Sequence, residues 1–373
     1  MTAATERLRA LIARAGGMLR FDRFMAAALY GPGFGYYDTA DGVFGEAGDF
    51  TTASEITPLY ARAFARALAP QLEALGAPRL VELGGGTGRF AAGLLGALPE
   101  AARPSRYVFT EISPALRARQ RRTLAEAPPE GMPTVESRAL TELAPEPTIV
   151  IANEVLDALP VRRIVVRPEG LNEQYVRDAG DGFEFVEQCL PARSSQALSR
   201  HLSELLPALP PGYVIDLNTR IAPLIAALGR LITQGAIWVA DYGETRREYL
   251  HPERVDGTLV CHYRHAVNHE PLSRPGSQDI TAAVDFTRVA EAATAVGLEV
   301  SGYATQAHVL VNLGLDELLA GIDDDGARIE AAAALKTLVL PGQMGERIKI
   351  MALSRGLPRG SAAFARFDMA HRL

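Results

Sequence analysis

The sequence is poor in cysteine and has no long apolar run. Its 373 residues include two cysteines, Cys189 and Cys261, and no short spacing pairs them, which excludes a disulfide scaffold and favours a reducing compartment. No apolar run approaches the roughly 18 residues that a membrane-spanning helix needs. A net charge of −6 argues against a general binder of nucleic-acid phosphates. We therefore expect a globular protein of the bacterial cytoplasm with no nucleic-acid partner and no transmembrane segment.

The first 20 residues are compatible with two interpretations. They contain four arginines and one acidic residue, a composition that is also found in transit peptides. The apolar residues Leu8, Leu11, Ile12 and Ala15 recur at helical spacing, which favours the first helix of the folded protein. We expect the helix.

A glycine-rich segment stands at the centre of the pattern. Arg79 to Leu83 reads as a short buried strand, Gly84, Gly86 and Gly88 follow, and residues 90–98 have helical character. Glycines permit a tight turn whose amides approach a ligand closely. Neither G-x-G-x-x-G nor a nucleotide-triphosphate loop is present, since Arg89 stands where the last glycine of the former belongs. The alternative is a glycine-rich turn without a ligand.

The motif that is present is E-x-G-x-G-x-G, from Glu82 to Gly88. It resembles motif I of class I S-adenosylmethionine (SAM) methyltransferases, whose loop passes the methionine end of the cofactor. Glu111 ends the second predicted strand, 107–113, where an acid can accept both ribose hydroxyls of a bound nucleoside. Alone it could equally be a helix-dipole partner, but after motif I the ribose role is favoured.

A polar segment precedes this unit and offers further donors and acceptors. Asp49, Thr51 and Thr52 lie in residues 45–55, before a helix that Thr57 caps and Pro58 begins. The three residues are candidate cofactor ligands. The alternative is a capped linker without ligand contacts.

Acidic residues follow two further predicted strands. Strand 148–152 leads into Asn153, Glu154 and Asp157, and strand 235–243 includes Asp241 near its end. If a helical turn follows the first of these strands, Glu154 and Asp157 share a face. Such a pair is either a solvated edge or a clamp for a cation. The position favours the clamp, with Asn153, Glu154, Asp157 and Asp241 as candidate catalytic residues.

Two insertions are predicted in the core. Apolar and polar residues alternate in 161–190, which predicts a small antiparallel excursion. The segment 244–285 is too long and too polar for an ordinary connection. We interpret the second insertion as a lid or substrate-facing segment, in which Gln278 to Thr281 and Asp285 are candidates to face the cleft. Its potential metal ligands, Cys261, His262, His265 and His269, fit no standard zinc spacing, so no metal is predicted.

The remaining pattern completes an α/β domain. Helix 286–296 and strands 298–303 and 347–352 would complete the sheet. We divide the chain into an N-terminal helical and loop module (1–75), a core with its two insertions (76–356, insertions near 161–212 and 244–285) and a surface tail (357–373).

Together these segments resemble the MidA-like methyltransferases, bacterial relatives of a mitochondrial respiratory complex I assembly factor. The matching segments, in chain order, are Met25 to Tyr30, Gly35 to Tyr37, Gly48 to Thr52, Val81 to Gly88, Glu111 to Pro114, Asn153 to Pro160, Ala240 to Gly243, Pro275 to Asp285 and Met344 to Glu346. Gly-Asp-Phe-Thr and Asn-Glu-x-x-Asp-Ala-Leu-Pro are far more specific than motif I. The chain departs from the usual family pattern at Leu59 to Ala61 and Ile348 to Met351, apolar packing changes that leave the cofactor assignment intact but leave the exact substrate groove open.

The resemblance implies a class I, Rossmann-like fold with a seven-stranded, mostly parallel sheet, an N-terminal helical extension and insertions. It implies SAM as cofactor and methylation of a protein arginine in a complex I subunit. It assigns the loop 48–52, Gly84, Gly86, Gly88 and Glu111 to the cofactor, and Asn153, Glu154 and Asp157 to the catalytic face. We add Glu82 and Asn153 to the candidate cofactor residues.

Two other functions stay open. The fold could serve as an assembly chaperone that binds a partner subunit, or as a small-molecule methyltransferase. Base methylation is disfavoured, because Asn153-Glu-Val-Leu156 stands where amino-methyltransferases that act on bases carry Asn/Asp-Pro-Pro-Tyr. The oligomeric state cannot be predicted from the sequence.

Overall fold

The computed structural model describes residues 2–38, 52–126, 128, 131–202, 204–358 and 360–373. The predicted ligands Asp49 and Thr51 therefore lie outside the described residues. The helices are α1 (Ala3–Arg14), α2 (Phe21–Tyr30), α3 (Ala53–Ile56), α4 (Pro58–Leu75), α5 (Arg89–Ala97), α6 (Pro114–Glu126), α7 (Ala192–His201), α8 (Ile221–Leu231), α9 (Arg246–Tyr249), α10 (Phe286–Ala295), α11 (Gln306–Asn312), α12 (Leu315–Ala320), α13 (Asp325–Val339) and α14 (Met344–Arg347).

The strands form three sheets in the described parts of the chain. They are β1 (Leu19–Arg20), β2 (Arg79–Leu83), β3 (Arg106–Thr110), β4 (Thr134–Ser137), β5 (Glu146–Asn153), β6 (Arg162–Arg167), β7 (Gly170–Asp178), β8 (Phe183–Cys189), β9 (Val214–Leu217), β10 (Ile232–Glu244), β11 (Leu259–Tyr263), β12 (Ala266–Asn268), β13 (Asp279–Ala282), β14 (Val284–Asp285), β15 (Glu299–Thr305) and β16 (Ile348–Arg355).

The central sheet has the order β15-β16-β10-β5-β2-β3-β4, and the short β14 pairs with the end of β10. Strands β4, β3, β2, β5 and β10 are parallel, whereas β16 runs antiparallel to both of its neighbours. This confirms the predicted seven-stranded, mostly parallel sheet and adds a short eighth strand. The chain moves from β2 to β3 and β4 on one side and returns to β5 on the other. Ligands bind at such a switch point, beyond the carboxyl ends of the strands.

Apolar side chains cover both faces of the central sheet. One layer packs α4, α5, α11 and α13 against the strands, with Tyr60, Phe64 and Trp238 among its buried aromatic residues. The other layer packs α8 and α10 on the opposite face. As predicted, Thr57 caps α4, its side chain accepting from the Leu59 amide, and Pro58 is the first helical residue.

The two insertions form separate antiparallel sheets. Residues 161–190 supply β6, β7 and β8, which are joined by β9 and β1 in one five-stranded sheet. This confirms the antiparallel excursion. Helix α2 packs on this sheet through ring contacts of Phe21 with Phe185 and of Phe24 with Phe183. The second insertion contains the sheet β12-β11-β13 and is more regular than its sequence predicts. Its strands are short, so their alternation of apolar and polar residues is weak.

The C-terminal segment packs more closely than predicted. Phe364 stacks on Trp238 with ring centroids 5.6 Å apart, and Ala363 is fully buried. Asn312 donates to the Ala363 carbonyl at 3.0 Å. The expectation that residues 357–373 lie only at the surface is therefore wrong for Ala363 and Phe364, while the proposed domain boundaries stay a prediction. No helix of the described residues is long and apolar enough to cross a membrane.

Candidate active site

The glycine loop begins where β2 ends and takes left-handed backbone angles. Gly84, Gly86 and Gly88 have φ values of 59°, 50° and 86°, which side chains with a Cβ rarely adopt. A Cβ on Gly85 would lie 2.5 Å from the Phe109 ring. The loop therefore needs its glycines for conformation and for space, and it leaves its backbone open to a ligand.

A cavity of about 290 Å³ lies over this loop. Of the predicted cofactor residues, Thr52, Glu82, Gly84, Gly86, Glu111 and Asn153 line it, together with the catalytic candidate Glu154. Gly88 is not among the lining residues and instead precedes the first turn of α5 as its N-cap. The loop and the ends of β3 and β5 thus converge on one cavity.

Two buried carboxyl groups face this cavity from neighbouring strands. Burial raises the pKa of Glu82 to about 7, and Tyr107 Oη donates to Glu82 Oε2 at 2.7 Å. Burial also raises the pKa of Glu111, which accepts from the Ser113 amide at 2.9 Å. Thr110 Oγ1, in the cavity wall, is buried without a hydrogen-bond partner among the described residues. These polar groups fit a nucleoside ligand with hydroxyl and amino groups.

Glu55 is a cavity residue that the sequence-based list omitted. Its side chain is 4% exposed and lies 3.3 Å from Arg89 Nη1, and Thr87 of the glycine loop donates a hydrogen bond to it. The segment around α3 is therefore held against the glycine loop by contacts of Glu55 with Thr87 and Arg89. Its acidic and hydroxyl composition was visible in the sequence, but no spacing identified Glu55 among its neighbours.

The segment after β5 is a loop, and the expected helical turn is absent. Glu154 has a φ of 52°, and its amide donates to the Ala240 carbonyl at 2.8 Å. Asp241 Oδ2 then accepts from the amides of Val155 at 3.0 Å and Leu156 at 2.7 Å. Because these bonds turn the backbone away from helical geometry, Glu154 and Asp157 do not share a helix face. Asp241 holds the loop and does not line either cavity.

The acidic side chains around this loop are nevertheless electrostatically coupled. Burial first, and Asp241 second, raise the pKa of Glu154 to about 8. Burial, Asp241, Asp279 and Glu154 raise the pKa of Asp157 well above its ordinary value, and burial raises that of Asp241 to about 7. Burial and mutual repulsion disfavour the ionised form of these carboxyl groups, so a bound cation would stabilise that form strongly.

Tyr60 and Asn153 orient the carboxylate of Glu154. Tyr60 Oη donates to Asn153 Oδ1 at 2.7 Å, and Asn153 Nδ2 donates to Glu154 Oε1 at 3.3 Å. The Ala53 amide donates to the same oxygen at 3.3 Å. Tyr60 lies on the core-facing side of α4, and its sequence position was noted above only as part of an apolar departure from the family pattern.

A second cavity, of about 1280 Å³, adjoins the first. Glu154 and Tyr37 line both cavities, and Asp157 lines the second. We call this second cavity the acceptor cleft. Tyr37 Oη donates to Asp279 Oδ1 at 3.0 Å. The two cavities therefore meet at the aromatic ring of Tyr37 and the half-buried carboxyl group of Glu154.

The second insertion supplies much of the cleft wall, while its role as a lid or substrate-facing segment stays a prediction. Thr281 lines the cleft, whereas Gln278 is fully buried and donates to the Glu270 carbonyl. Asp285 caps α10 and pairs with Arg246 at 2.9 Å, so the expectation that Gln278 and Asp285 face the cleft is wrong. His262 and His269 line the cleft, and Cys261 is buried. Among the described residues no group of three or more histidine, cysteine or acidic side chains is arranged to hold a metal.

Known proteins resemble this chain over most of its length. The model of the family "Putative S-adenosyl-L-methionine-dependent methyltransferase" matches residues 63–304. A superfamily member from Burkholderia thailandensis, crystallised with S-adenosyl-homocysteine, has a TM-score of 0.92 and 37% identity, covering 100% of this chain and 96% of that one. The mitochondrial protein arginine methyltransferase NDUFAF7 of Mus musculus is 29% identical, covering 90% of this chain and 81% of that protein. NDUFAF7 of Homo sapiens is 27% identical, covering 90% and 80%.

The fold, the glycine-loop cavity and these similarities define a class I methyltransferase that uses SAM. The chain belongs to the SAM-dependent methyltransferase family of that model, the MidA-like methyltransferases.

Proposed function

We propose that this methyltransferase acts on the guanidinium group of a protein arginine. The observation that carries the proposal is the position of Glu154, which lines both the cofactor cavity and the acceptor cleft. A carboxyl group at that junction can hold an acceptor nitrogen beside a bound methyl donor. The names of the mouse and human relatives, both protein arginine methyltransferases, support arginine as the acceptor.

The polar groups that line the cofactor cavity are suited to SAM. The backbone of Gly84 and Gly86 would border the methionine portion, with Glu82 beneath it, and Glu111 would accept the ribose hydroxyls. We propose Thr52, Gly88, Asp49 and Thr51 as supporting residues of the same site. Bound SAM supplies an electrophilic methyl group on a sulfonium centre.

The acceptor side then has three tasks. Glu154 and Asp157 hold the planar guanidinium through charge-assisted hydrogen bonds, which fixes one nitrogen toward the cofactor cavity. Asn153 and Tyr60 fix the orientation of Glu154 Oε1. Alkylation of a guanidinium nitrogen releases one proton, which a carboxylate beside that nitrogen, such as Glu154, can accept. Asp241 positions the loop through its backbone bonds.

The identity of the acceptor rests on the family resemblance. We infer a subunit of respiratory complex I, or a similar protein, that is methylated in the bacterial cytoplasm. The structure contributes the excess of acidic side chains in the cleft, which favours a positively charged acceptor.

The test compares Glu154→Gln with Glu184→Gln. Glu184 is a cleft carboxylate close to Arg177, so it controls for lost charge. With a bacterial cell extract as acceptor pool, we expect Glu154→Gln to lower methylarginine formation about 100-fold and to change S-adenosyl-homocysteine affinity little. Methylarginine would be measured by mass spectrometry. Equal losses of methyl transfer and of S-adenosyl-homocysteine affinity in Glu154→Gln would contradict the proposed roles. Formation of methyllysine without methylarginine would contradict them as well.

A further inference from the structure

Strand β8 borders the acceptor cleft, and one of its edges pairs with no strand of the described residues. It pairs antiparallel with β7, and no other described strand pairs with it. β6 and β1 pair with β7 as well, on the side opposite to β8. An edge strand exposes a row of backbone donors and acceptors to which another chain can pair.

The register shows which residues of β8 carry that row. The Leu190 amide donates to the Leu171 carbonyl at 2.8 Å, and the Ala179 amide donates to the Gly182 carbonyl at 3.0 Å. In an antiparallel ladder the bonded residues alternate, so Glu184, Val186 and Gln188 direct their backbone groups toward β7. Phe183 and Phe185 direct theirs outward.

The outward row lies along the cleft. Phe183, Glu184 and Phe185 all line it, although successive side chains of a strand point to opposite faces. The rings of Phe183 and Phe185 pack against Phe24 and Phe21 of α2. The cavity contacts residues whose side chains point to opposite faces of β8, so it follows the edge of the strand. The edge backbone of Phe183 and Phe185 therefore faces the cleft.

The charges of the cleft identify the kind of chain that would occupy it. Its lining includes eight carboxyl residues (Glu154, Asp157, Glu184, Glu244, Glu253, Asp256, Glu270 and Asp279) and three arginines (Arg163, Arg254 and Arg347). Arg163 already lies 3.7 Å from Asp216. Val255 and Val267 line the cleft with 42% and 62% of their surfaces exposed. The surroundings favour an extended, cationic segment with small or apolar neighbours.

We propose that the acceptor protein binds as an extended segment that adds a strand to the free edge of β8. Its arginine side chain then reaches the junction at Glu154. This inference deepens the proposed function and rests on it. Main-chain pairing supplies affinity with little dependence on sequence, and the acidic junction selects arginine. An arginine within a folded helix would not be accepted.

The test uses a synthetic peptide of alternating valine and threonine with one central arginine, and two N-methylated isomers of it. One isomer carries backbone N-methyl groups at even offsets from the arginine, and the other carries them at odd offsets. Their side chains are identical, but each blocks one edge of the extended peptide. Binding is measured by fluorescence anisotropy in the presence of S-adenosyl-homocysteine, and transfer by methylarginine analysis with SAM.

We expect one isomer to bind at least about tenfold more weakly than the parent peptide, because each backbone hydrogen bond contributes about 0.5–1.5 kcal/mol. The other isomer should bind within about twofold of the parent, since its methyl groups face away from β8. Equal behaviour of the two isomers would overturn strand addition.

The outcomes separate this inference from the proposed function. Methylarginine in extract proteins but no binding of the parent peptide would overturn strand addition alone. Edge-specific binding without methylarginine in any substrate would support strand addition and contradict the proposed function. Neither binding nor methylarginine would overturn both.

A matched pair of variants tests the same edge from the protein side. Phe185→Ala and Phe185→Pro both remove the ring that packs on Phe21, but only proline removes the outward amide, a change that edge strands tolerate. We expect Phe185→Pro to bind the parent peptide several-fold more weakly than Phe185→Ala, with equal S-adenosyl-homocysteine affinity. Equal peptide affinity in the two folded variants would contradict the role of this amide.

Discussion

The cofactor cavity and the acceptor cleft meet at Glu154 but are built in different ways. The cofactor cavity, about 290 Å³, is formed by a glycine loop and by residues at the ends of adjacent parallel strands. The acceptor cleft, about 1280 Å³, is formed by residues from β8, the second insertion and the loop after β5. The first depends on backbone geometry and the second on side-chain charge. Substitutions should therefore affect cofactor affinity on one side and methyl transfer on the other.

The largest expected effect is on the cofactor side, in Gly86→Val. Gly86 has a φ of 50°, and its carbonyl accepts from Gln120 Nε2 at 3.2 Å. A β-branched residue cannot hold that angle without strain. We expect calorimetric titration to show about a 100-fold loss of affinity for SAM and for S-adenosyl-homocysteine, which is about 2.8 kcal/mol and matches the size of local backbone strain.

The control for this variant is Gly96→Ala. Gly96 lies inside α5, and a Cβ there would meet nothing within 4 Å. Because alanine favours the helix by about 1 kcal/mol, this variant should be at least as stable as the wild type and bind cofactor normally. Unchanged cofactor binding by a folded Gly86→Val protein would show that the loop does not form the cofactor site.

The pH dependence of stability gives the next largest effect, to which Glu82 contributes on the cofactor side and Glu154 and Asp241 contribute on the acceptor side. Burial raises the pKa of Glu154 to about 8 and of Asp241 to about 7, so the native state retains protons that the unfolded chain releases near pH 4–5. The free energy of unfolding of the ligand-free protein should therefore decrease as the pH rises from about 5 to about 8. Thermal melts across this range would measure it.

Glu154→Gln should reduce this decrease, because glutamine carries no proton to release. The matched variant Glu184→Gln changes an exposed carboxylate in the same cleft and should leave the pH dependence nearly unchanged. A decrease of the same size in Glu154→Gln and the wild type would show that Glu154 is not the group that titrates.

The cofactor cavity could be predicted from the sequence to a greater extent than the acceptor cleft. The glycine loop and the position of Glu111 were predictable because each depends on residues close in sequence. The seven-stranded, mostly parallel sheet was predictable because the family resemblance implies it. The loop after β5 was not, because its shape is set by Asp241, more than eighty residues away, through bonds to the Val155 and Leu156 amides. The cleft at β8 was not predictable for the same reason, since its walls come together only in the folded chain.

The smallest expected effect compares the same deletion on the two sides. Tyr60→Phe removes the hydroxyl that donates to Asn153 at 2.7 Å, and Tyr107→Phe removes the one that donates to Glu82, also at 2.7 Å. Each loses one hydrogen bond of about 0.5–3 kcal/mol with no change in ring packing. Tyr60→Phe should lower kcat several-fold with cofactor affinity unchanged, because Glu154 loses its orientation. Tyr107→Phe should weaken S-adenosyl-homocysteine binding several-fold, because Glu82 becomes harder to ionise. If either variant changed both quantities alike, the separation of the two sides at Asn153 and Glu154 would not hold.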